Sequence, residues 1–188
     1  VKENGEVVMN KETIETYMSA AYRLAKQSSD SSCQNGAIIL LNETLLGTGY
    51  NEFPPGVQFD LIKATQRPEK YIYYEHAERA AIYHCAKYGN GTMDGIMICP
   101  WACCCDCARS IICAGIRKVI VHAERMDVTR DFWQENIKIA WGMLTEAKVK
   151  VELYRGPVGV KPIRVNGKLW SPDTCDFVEK ENDSDICR

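Results

Sequence analysis

The 188-residue chain predicts an α/β fold of three layers, α/β/α, with helices on both sides of a central five-stranded mixed sheet. Three observations carry that expectation. Segments with helical apolar spacing alternate with short apolar runs in the order α-β-β-α-β-α-β-α-β. The first two runs are joined by a two-residue turn, as an antiparallel hairpin requires, whereas the later ones are separated by helices, as right-handed parallel crossovers require. A composition of 46% hydrophobic and 26% charged residues suits one compact core.

The elements follow in order. Ile14, Tyr17, Met18, Ala21, Leu24 and Ala25 recur at three-and-four spacing, which predicts a helix from Lys11 that ends in the polar stretch Ser28-Ser29-Asp30-Ser31-Ser32. Residues 36–41 and 44–49 read as strands around an Asn42-Glu43 turn, the first apolar enough to be buried on both faces. Residues 50–75, with Pro54-Pro55-Gly56 and Pro68, form a long irregular segment, and such segments inside a compact domain are usually functional. A helix over 76–88 is stopped by Gly89-Asn90-Gly91. Then come a strand over 93–99, a helix over 104–114 ending at Gly115, and a strand over 118–122. A helix over 130–147 carries Phe132, Trp133, Ile137, Ala140, Trp141 and Leu144 on one stripe, and 149–154 closes the sheet. Residues 1–155 form the main unit. Residues 156–188 form a C-terminal extension, with a tight hairpin around 165–168 and a polar tail from 179.

Composition excludes several classes. Lys+Arg 23 against Asp+Glu 25 gives a net charge of −2, which argues against stable nucleic-acid binding through general electrostatics. No apolar run approaches the roughly 18 residues of a membrane span, so no membrane partner is expected. Residues 1–5 lack the apolar core of a secretory signal, and a cytoplasmic location is expected. The apolar helix faces favour a homo-oligomer.

Ten cysteines stand out, six of them (Cys99, Cys103, Cys104, Cys105, Cys107 and Cys113) within fifteen residues. Such crowding suits thiolate metal ligands in a reducing compartment better than a disulfide framework. Within the crowd only Cys104 and Cys107 have two intervening residues, which at a helix start places both sulfurs on one side. A helix N-terminus and a nearby dication both lower thiol pKa. His76 opens another helix, and parallel crossovers can bring both helix starts to one sheet edge.

His76, Cys104 and Cys107 make a three-donor zinc set, neutral overall around a dication, with a fourth position left for water. Water on such a zinc ionises near pH 7, and Glu78 beside it can take the water's proton and hand it to a substrate. His-x-Glu followed by Pro-Cys-x-x-Cys is a known zinc-deaminase signature, and the similarity to it implies that the hydroxide would attack C4 of a cytosine while Glu78 protonates N3 and helps ammonia depart. Taken singly, Cys104-x-x-Cys107 is more often a redox pair or structural zinc than a deaminase site, and Glu78 is an ordinary solvated helix residue. The remaining cysteines Cys85, Cys103, Cys105 and Cys113 are expected to pack as small apolar groups, His84 to sit on a surface, and His122 to be structural.

With the motifs Asn35-Gly36-Ala37-Ile38-Ile39, Gly47-Thr48-Gly49-Tyr50-Asn51, Pro54 to Gly56 and Ala114-Gly115-Ile116-Arg117-Lys118-Val119, the chain resembles the cytidine deaminase-like superfamily. Within it the deoxycytidylate deaminases are most similar, over about residues 11–154. The resemblance implies hydrolysis of dCMP to dUMP and ammonia for dTMP synthesis, with one catalytic zinc per subunit and a small nucleotide as substrate. It also implies that Asn51 meets the deoxyribose and the Ala77 backbone the pyrimidine. Arg125, in the Glu124-Arg125-Met126 stretch where relatives often carry a base-contacting tyrosine, is a candidate for the phosphate, as are Lys63, Arg67 and Lys70. The family pattern is broken at Cys103, where a proline is usual, at Asn35, where a valine is usual, and at Glu52, where a glycine is usual. Alternatives are a deaminase of cytidine or deoxycytidine, a deaminase of bases in single-stranded nucleic acid, or a zinc-stabilised interaction module whose fourth ligand is Cys103 or Cys105.

Overall fold

The structure is a computed structural model and describes residues 2–3, 6–7, 9–57 and 68–179. The strands are β1 (Lys2–Glu3), β2 (Glu6–Val7), β3 (Gly36–Leu41), β4 (Thr44–Tyr50), β5 (Ile96–Cys99), β6 (Lys118–His122), β7 (Lys150–Tyr154), β8 (Ile163–Val165), β9 (Lys168–Trp170) and β10 (Phe177–Val178). The helices are α1 (Lys11–Ala25), α2 (Lys70–Tyr73), α3 (Ala77–Lys87), α4 (Cys105–Cys113), α5 (Ala123–Asp127) and α6 (Asp131–Glu146).

The main sheet runs β4-β3-β5-β6-β7. β3 pairs antiparallel with β4 and β5, while β5-β6 and β6-β7 are parallel. This is the five-stranded mixed sheet the element order predicts. Asn42 and Glu43 both adopt positive φ (50° and 65°), the twist a two-residue hairpin turn demands.

Alternation along the strands divides the core in two. Ile39, Met97, Val119 and Val121 face α3, α4 and α6, meeting Ala81, Cys85, Ile111, Ala140 and Leu144. Ile38, Leu40, Ile96, Ile98 and Ile120 face the other way, toward Met18 and Tyr22 of α1 and toward Val158, Ile163, Val165 and Trp170. The second layer is therefore shared between α1 and a three-stranded antiparallel sheet, β10-β9-β8, built by the C-terminal segment. Trp170 is fully buried there, and Asn166 (φ 55°) with Gly167 (φ 81°) forms the β8–β9 turn.

Several local expectations shift. The strand expected from residue 93 begins at Ile96, because Asp94 takes a positive φ and Gly95 N–H closes a turn on the Thr92 carbonyl at 2.9 Å. The irregular 50–75 segment contains α2, and Glu52 and Glu75 bridge its ends, while residues 58–67 lie outside the described part. α5 follows β6 directly, with no apolar periodicity to announce it in five residues. Cys85 and Cys103 are buried as expected, but Cys113 is exposed and Cys105 is half-buried and hydrogen-bonded to Asn136. His84 is on the surface and His122 is fully buried. The expected tail beyond Glu179 lies outside the described residues.

Candidate active site

His76 and Cys104 are N-cap residues, each in extended backbone conformation immediately before its helix. α3 is held close against β4: a Cβ on Gly47 would meet Cys85, and one on Gly49 would meet the Ala77 and Ala81 backbone. Those glycines set how deeply the His76 end of α3 is seated. Glu75 accepts from the His76 N–H at 3.0 Å and pairs with Arg79, whose Nη1 reaches Asp106 Oδ2 on α4 at 3.7 Å. Cys105 N–H donates to Asn136 Oδ1 at 2.9 Å, tying α4 to α6. Two helix starts are thus fastened side by side.

The result is a triangle of donors. His76 Nδ1 lies 3.4 Å from Cys104 Sγ and 3.5 Å from Cys107 Sγ. Zn–N and Zn–S bonds of about 2.05 and 2.3 Å at a tetrahedral angle place N and S roughly 3.5 Å apart, so both His76 edges match a zinc face, and the two sulfurs lie within 4.8 Å of each other. Among the described residues this is the only cluster of three such donors close enough to share an ion. Cys103 and Cys105 are not in it, so the fourth ligand that a closed structural site needs is missing from the described residues.

The protonation pattern fits a site that exchanges protons for a cation. The hydrogen bond from Cys107, helped by His76, pulls the Cys104 thiol down to about 4 against the cost of burial. As donor of that bond, and by burial, Cys107 is held well above its ordinary value. Burial alone would lower His76, but the bond to Cys104 and the charge of Glu78 raise it. Glu78, 2% exposed in the first turn of α3, is pushed by burial up to about 7. A carboxyl with that affinity both takes and gives protons near neutral pH.

His76, Ala77, Glu78 and Cys104 open onto a cleft of about 800 Å³, counting its mouth. Tyr71, Tyr74, Trp101, Trp133 and Ile137 give it apolar walls suited to a planar ring. Ala77, the first residue of α3, presents a backbone N–H without an intrahelical acceptor.

Asn51 also lines the cleft, but its amide is engaged within the protein. Oδ1 accepts from Asn35 N–H (2.7 Å), and Nδ2 donates to Asp30 Oδ2 (3.0 Å) and to the Cys33 carbonyl (2.8 Å). One lone pair on Oδ1 is what remains for a ligand. Asn35 Oδ1 is buried with no hydrogen-bond partner, a spare acceptor on a residue of the cleft wall.

Arg125 sits behind the wall. It is 1% exposed, stacks over Trp101 at 4.8 Å, donates from Nη2 to Cys33 Sγ at 3.3 Å, and leaves Nη1 unpartnered. Lys70 is in the wall but paired with Asp30 at 2.6 Å. Lys63 and Arg67 lie outside the described residues. Asp30, Arg130, Trp133 and Asn166 also line the cleft, and little in the sequence marks them for it. Asp30 lies in a polar run that reads as a loop, and only Trp133 belongs to an apolar stripe.

The family model for the cytidine and deoxycytidylate deaminase zinc-binding region matches residues 11–123, which takes in His76, Glu78, Cys104 and Cys107. The chain belongs to that deaminase family. An uncharacterized deaminase encoded in the luxG 3′ region of Aliivibrio fischeri is 33% identical over 127 residues, 66% of this chain and 81% of that protein. The deoxycytidylate deaminase of Mus musculus is 35% identical over 117 residues, 59% of this chain. This chain spans 65% of the mouse enzyme's length. The crystal structure of dCMP deaminase from the cyanophage S-TIM5 in complex with dCMP and dUMP matches with a TM-score of 0.60 and 25% identity. That match takes in 99% of the phage chain but 78% of this deaminase-family chain, so part of this chain has no counterpart there. Among the described residues no helix is long and apolar enough to cross a membrane.

Proposed function

We propose that this chain hydrolyses dCMP to dUMP and ammonia, at one zinc per subunit held by His76, Cys104 and Cys107, and that the dUMP serves dTMP synthesis. The observation that carries the reading is a buried glutamate, Glu78, two residues from one corner of a zinc-sized donor triangle that lacks a fourth protein ligand among the described residues. Similarity to deoxycytidylate deaminases supports the choice of substrate.

Two thiolates and a neutral imidazole balance a dication, and their spacing fits a tetrahedral ion. When bound, zinc supplies the Lewis acidity that activates water at neutral pH. The chain's own residues do the rest. Trp101, Trp133 and the tyrosines of the wall hold the pyrimidine and exclude bulk water. The Ala77 N–H faces the ring's polar edge, and Asn51 offers its remaining lone pair to the sugar. Glu78 takes one proton from the attacking water and delivers it to N3 as the oxygen bonds to C4. It then passes the second proton to the exocyclic nitrogen as the C4–N bond breaks. The water oxygen becomes O4 of dUMP and the amino group leaves as ammonia. Arg125 contributes a buried positive charge behind Cys33 and Trp101, favouring an anionic ligand.

The test is Glu78→Gln, which keeps the size and removes the proton carrier. The variant is expected to retain zinc at the wild-type ratio and lose about 10²–10⁴ in kcat for dCMP, the range general acid–base groups supply. Unchanged ammonia release with zinc present would refute the role of Glu78. Zinc retained in a protein inert toward dCMP, CMP and deoxycytidine would favour an interaction module instead.

A further inference from the structure

We propose that the C-terminal hairpin is a working part of the substrate cleft and holds Arg130 as the cation that receives the nucleotide's 5′-phosphate. The proposal rests on the dCMP reading and names the residue that would make the monophosphate the preferred substrate.

The hairpin tip touches both sides of the cleft. On one side Gly167 N–H donates to the Ser32 carbonyl at 2.7 Å. Gln34 N–H donates to the Arg164 carbonyl at 2.8 Å, and Arg164 N–H returns a bond to Gln34 Oε1 at 2.9 Å. These bonds fix the segment that brings Ser32, Cys33 and Asn35 into the wall. On the other side Asn166 Nδ2 donates to the Val128 carbonyl at 3.0 Å, and Arg130 Nη2 donates to the Asn166 carbonyl at 3.1 Å. Asn166 itself lines the cleft. Behind the tip, Ile163, Val165 and Trp170 are fully buried against the main sheet, so the tip is carried on a rigid base.

Arg130 is singled out by elimination. The cations lining the cleft among the described residues are Lys70, His76 and Arg130. Lys70 is neutralised by Asp30 at 2.6 Å, and His76 belongs to the zinc triangle. Arg130 makes no ion pair with any described carboxylate, and the bond to Asn166 uses one N–H of its planar fork. The rest of the fork is oriented and available, which is what a phosphate dianion asks of an arginine. The backbone carbonyl that orients it comes from the C-terminal segment, beyond the residues 11–123 of the family match.

The experiment uses the full-length zinc-loaded protein, with Arg130→Gln, Arg130→Lys and Asn166→Gly, since glycine tolerates the positive φ at 166. Turnover is compared on dCMP and deoxycytidine, and binding on dUMP and deoxyuridine by calorimetry. Arg130→Gln is expected to lower kcat/KM for dCMP by about 10- to 100-fold, the worth of a charge-assisted hydrogen bond, with no matching loss on deoxycytidine. Arg130→Lys restores part of the loss. Asn166→Gly raises KM for dCMP several-fold and leaves kcat alone, as a positioning residue should. Equal losses on both substrates, or no loss on dCMP, overturn the assignment. If the wild type fails to turn over dCMP, the functional reading falls, but the binding arm still decides Arg130. A wild-type preference for dUMP over deoxyuridine that Arg130→Gln abolishes upholds it, and a preference that is absent or survives the substitution overturns it.

Discussion

Breaking the buried pair Asp30–Lys70 from either side should cost several kcal/mol, and the pair should couple the long 50–75 segment to the rest of the site. The pair lies at 2.6 Å with side chains 4% and 8% exposed. Asp30 Oδ1 also accepts the Ser32 N–H at 2.7 Å and the Cys33 N–H at 3.2 Å, and Oδ2 accepts Asn51 Nδ2 at 3.0 Å. Replacing Asp30 by Asn strands a buried ammonium and turns one acceptor into a donor facing other donors, a loss of about 3–5 kcal/mol. Lys70→Met leaves a carboxylate that keeps three of its four donors, so about 2–3 kcal/mol is expected. In the double variant both charges are gone, and the sum of the single losses should exceed the double loss by more than about 1 kcal/mol. For a chain of this size the melting point should fall by roughly 2–4 °C per kcal/mol. Urea unfolding of the four zinc-loaded proteins measures the cycle. Losses that add within about 0.5 kcal/mol would refute the coupling.

Gly49→Ala is expected to cost about 1–3 kcal/mol, because the new Cβ meets the α3 backbone rather than a side chain that could move aside. The same displacement should lower zinc stoichiometry, whereas wild-type stability and zinc content would contradict the close approach. A second expectation concerns pH. His122 is fully buried, with Nδ1 2.7 Å from Tyr22 Oη and Nε2 3.1 Å from both the Gly156 carbonyl and Glu124 Oε2. The Nε2–H aims at the carbonyl, so the carboxylate is a charge neighbour rather than a hydrogen-bond partner. Burial lowers the His122 pKa, opposed by the Gly156 bond and by the charges of Glu124 and Asp173, with Arg155 adding to the lowering. The unfolded chain therefore binds more protons below about pH 6.5, and stability present above that pH is lost as pH falls toward the folded pKa, by at most about 1.4 kcal/mol per unit. His122→Gln should flatten the dependence between pH 5 and 7 in urea titrations, and an unchanged slope would show that other groups set it.

Most of the main sheet was legible in local pattern. The apolar runs of β3, β5 and β6, buried along their length, and the three-and-four stripe of α1 are properties of neighbouring residues, and they place those elements correctly. The α6 stripe holds at Ile137, Ala140 and Leu144, whereas Phe132 at the start of that helix is 75% exposed. α2 and α5 escaped, being too short for a period to show. His76 and Cys104 stand one residue before their helices rather than in them, a shift that matters because an N-cap side chain projects over the open helix end.

The donor set His76, Glu78, Cys104 and Cys107 could be picked from the chain because spacing and residue chemistry limit the choices, and because each helix start is itself a local feature. That these residues form one triangle depends on parallel β5 and β6 and on glycines that let α3 settle on β4. The charged residues were a different matter. Which cations near the cleft are free depends on partners far away in the chain: Lys70 on Asp30, Arg125 on Trp101 and Cys33, Arg130 on Asn166. An exposed arginine and a buried one have the same sequence signature, since no periodicity accompanies a long polar side chain that can reach in several directions. The C-terminal segment makes the same point. Its turn was readable from Asn166-Gly167, but its place against the sheet and over the cleft comes from Trp170, Ile163 and Val165 filling the second core, a packing only the folded chain decides.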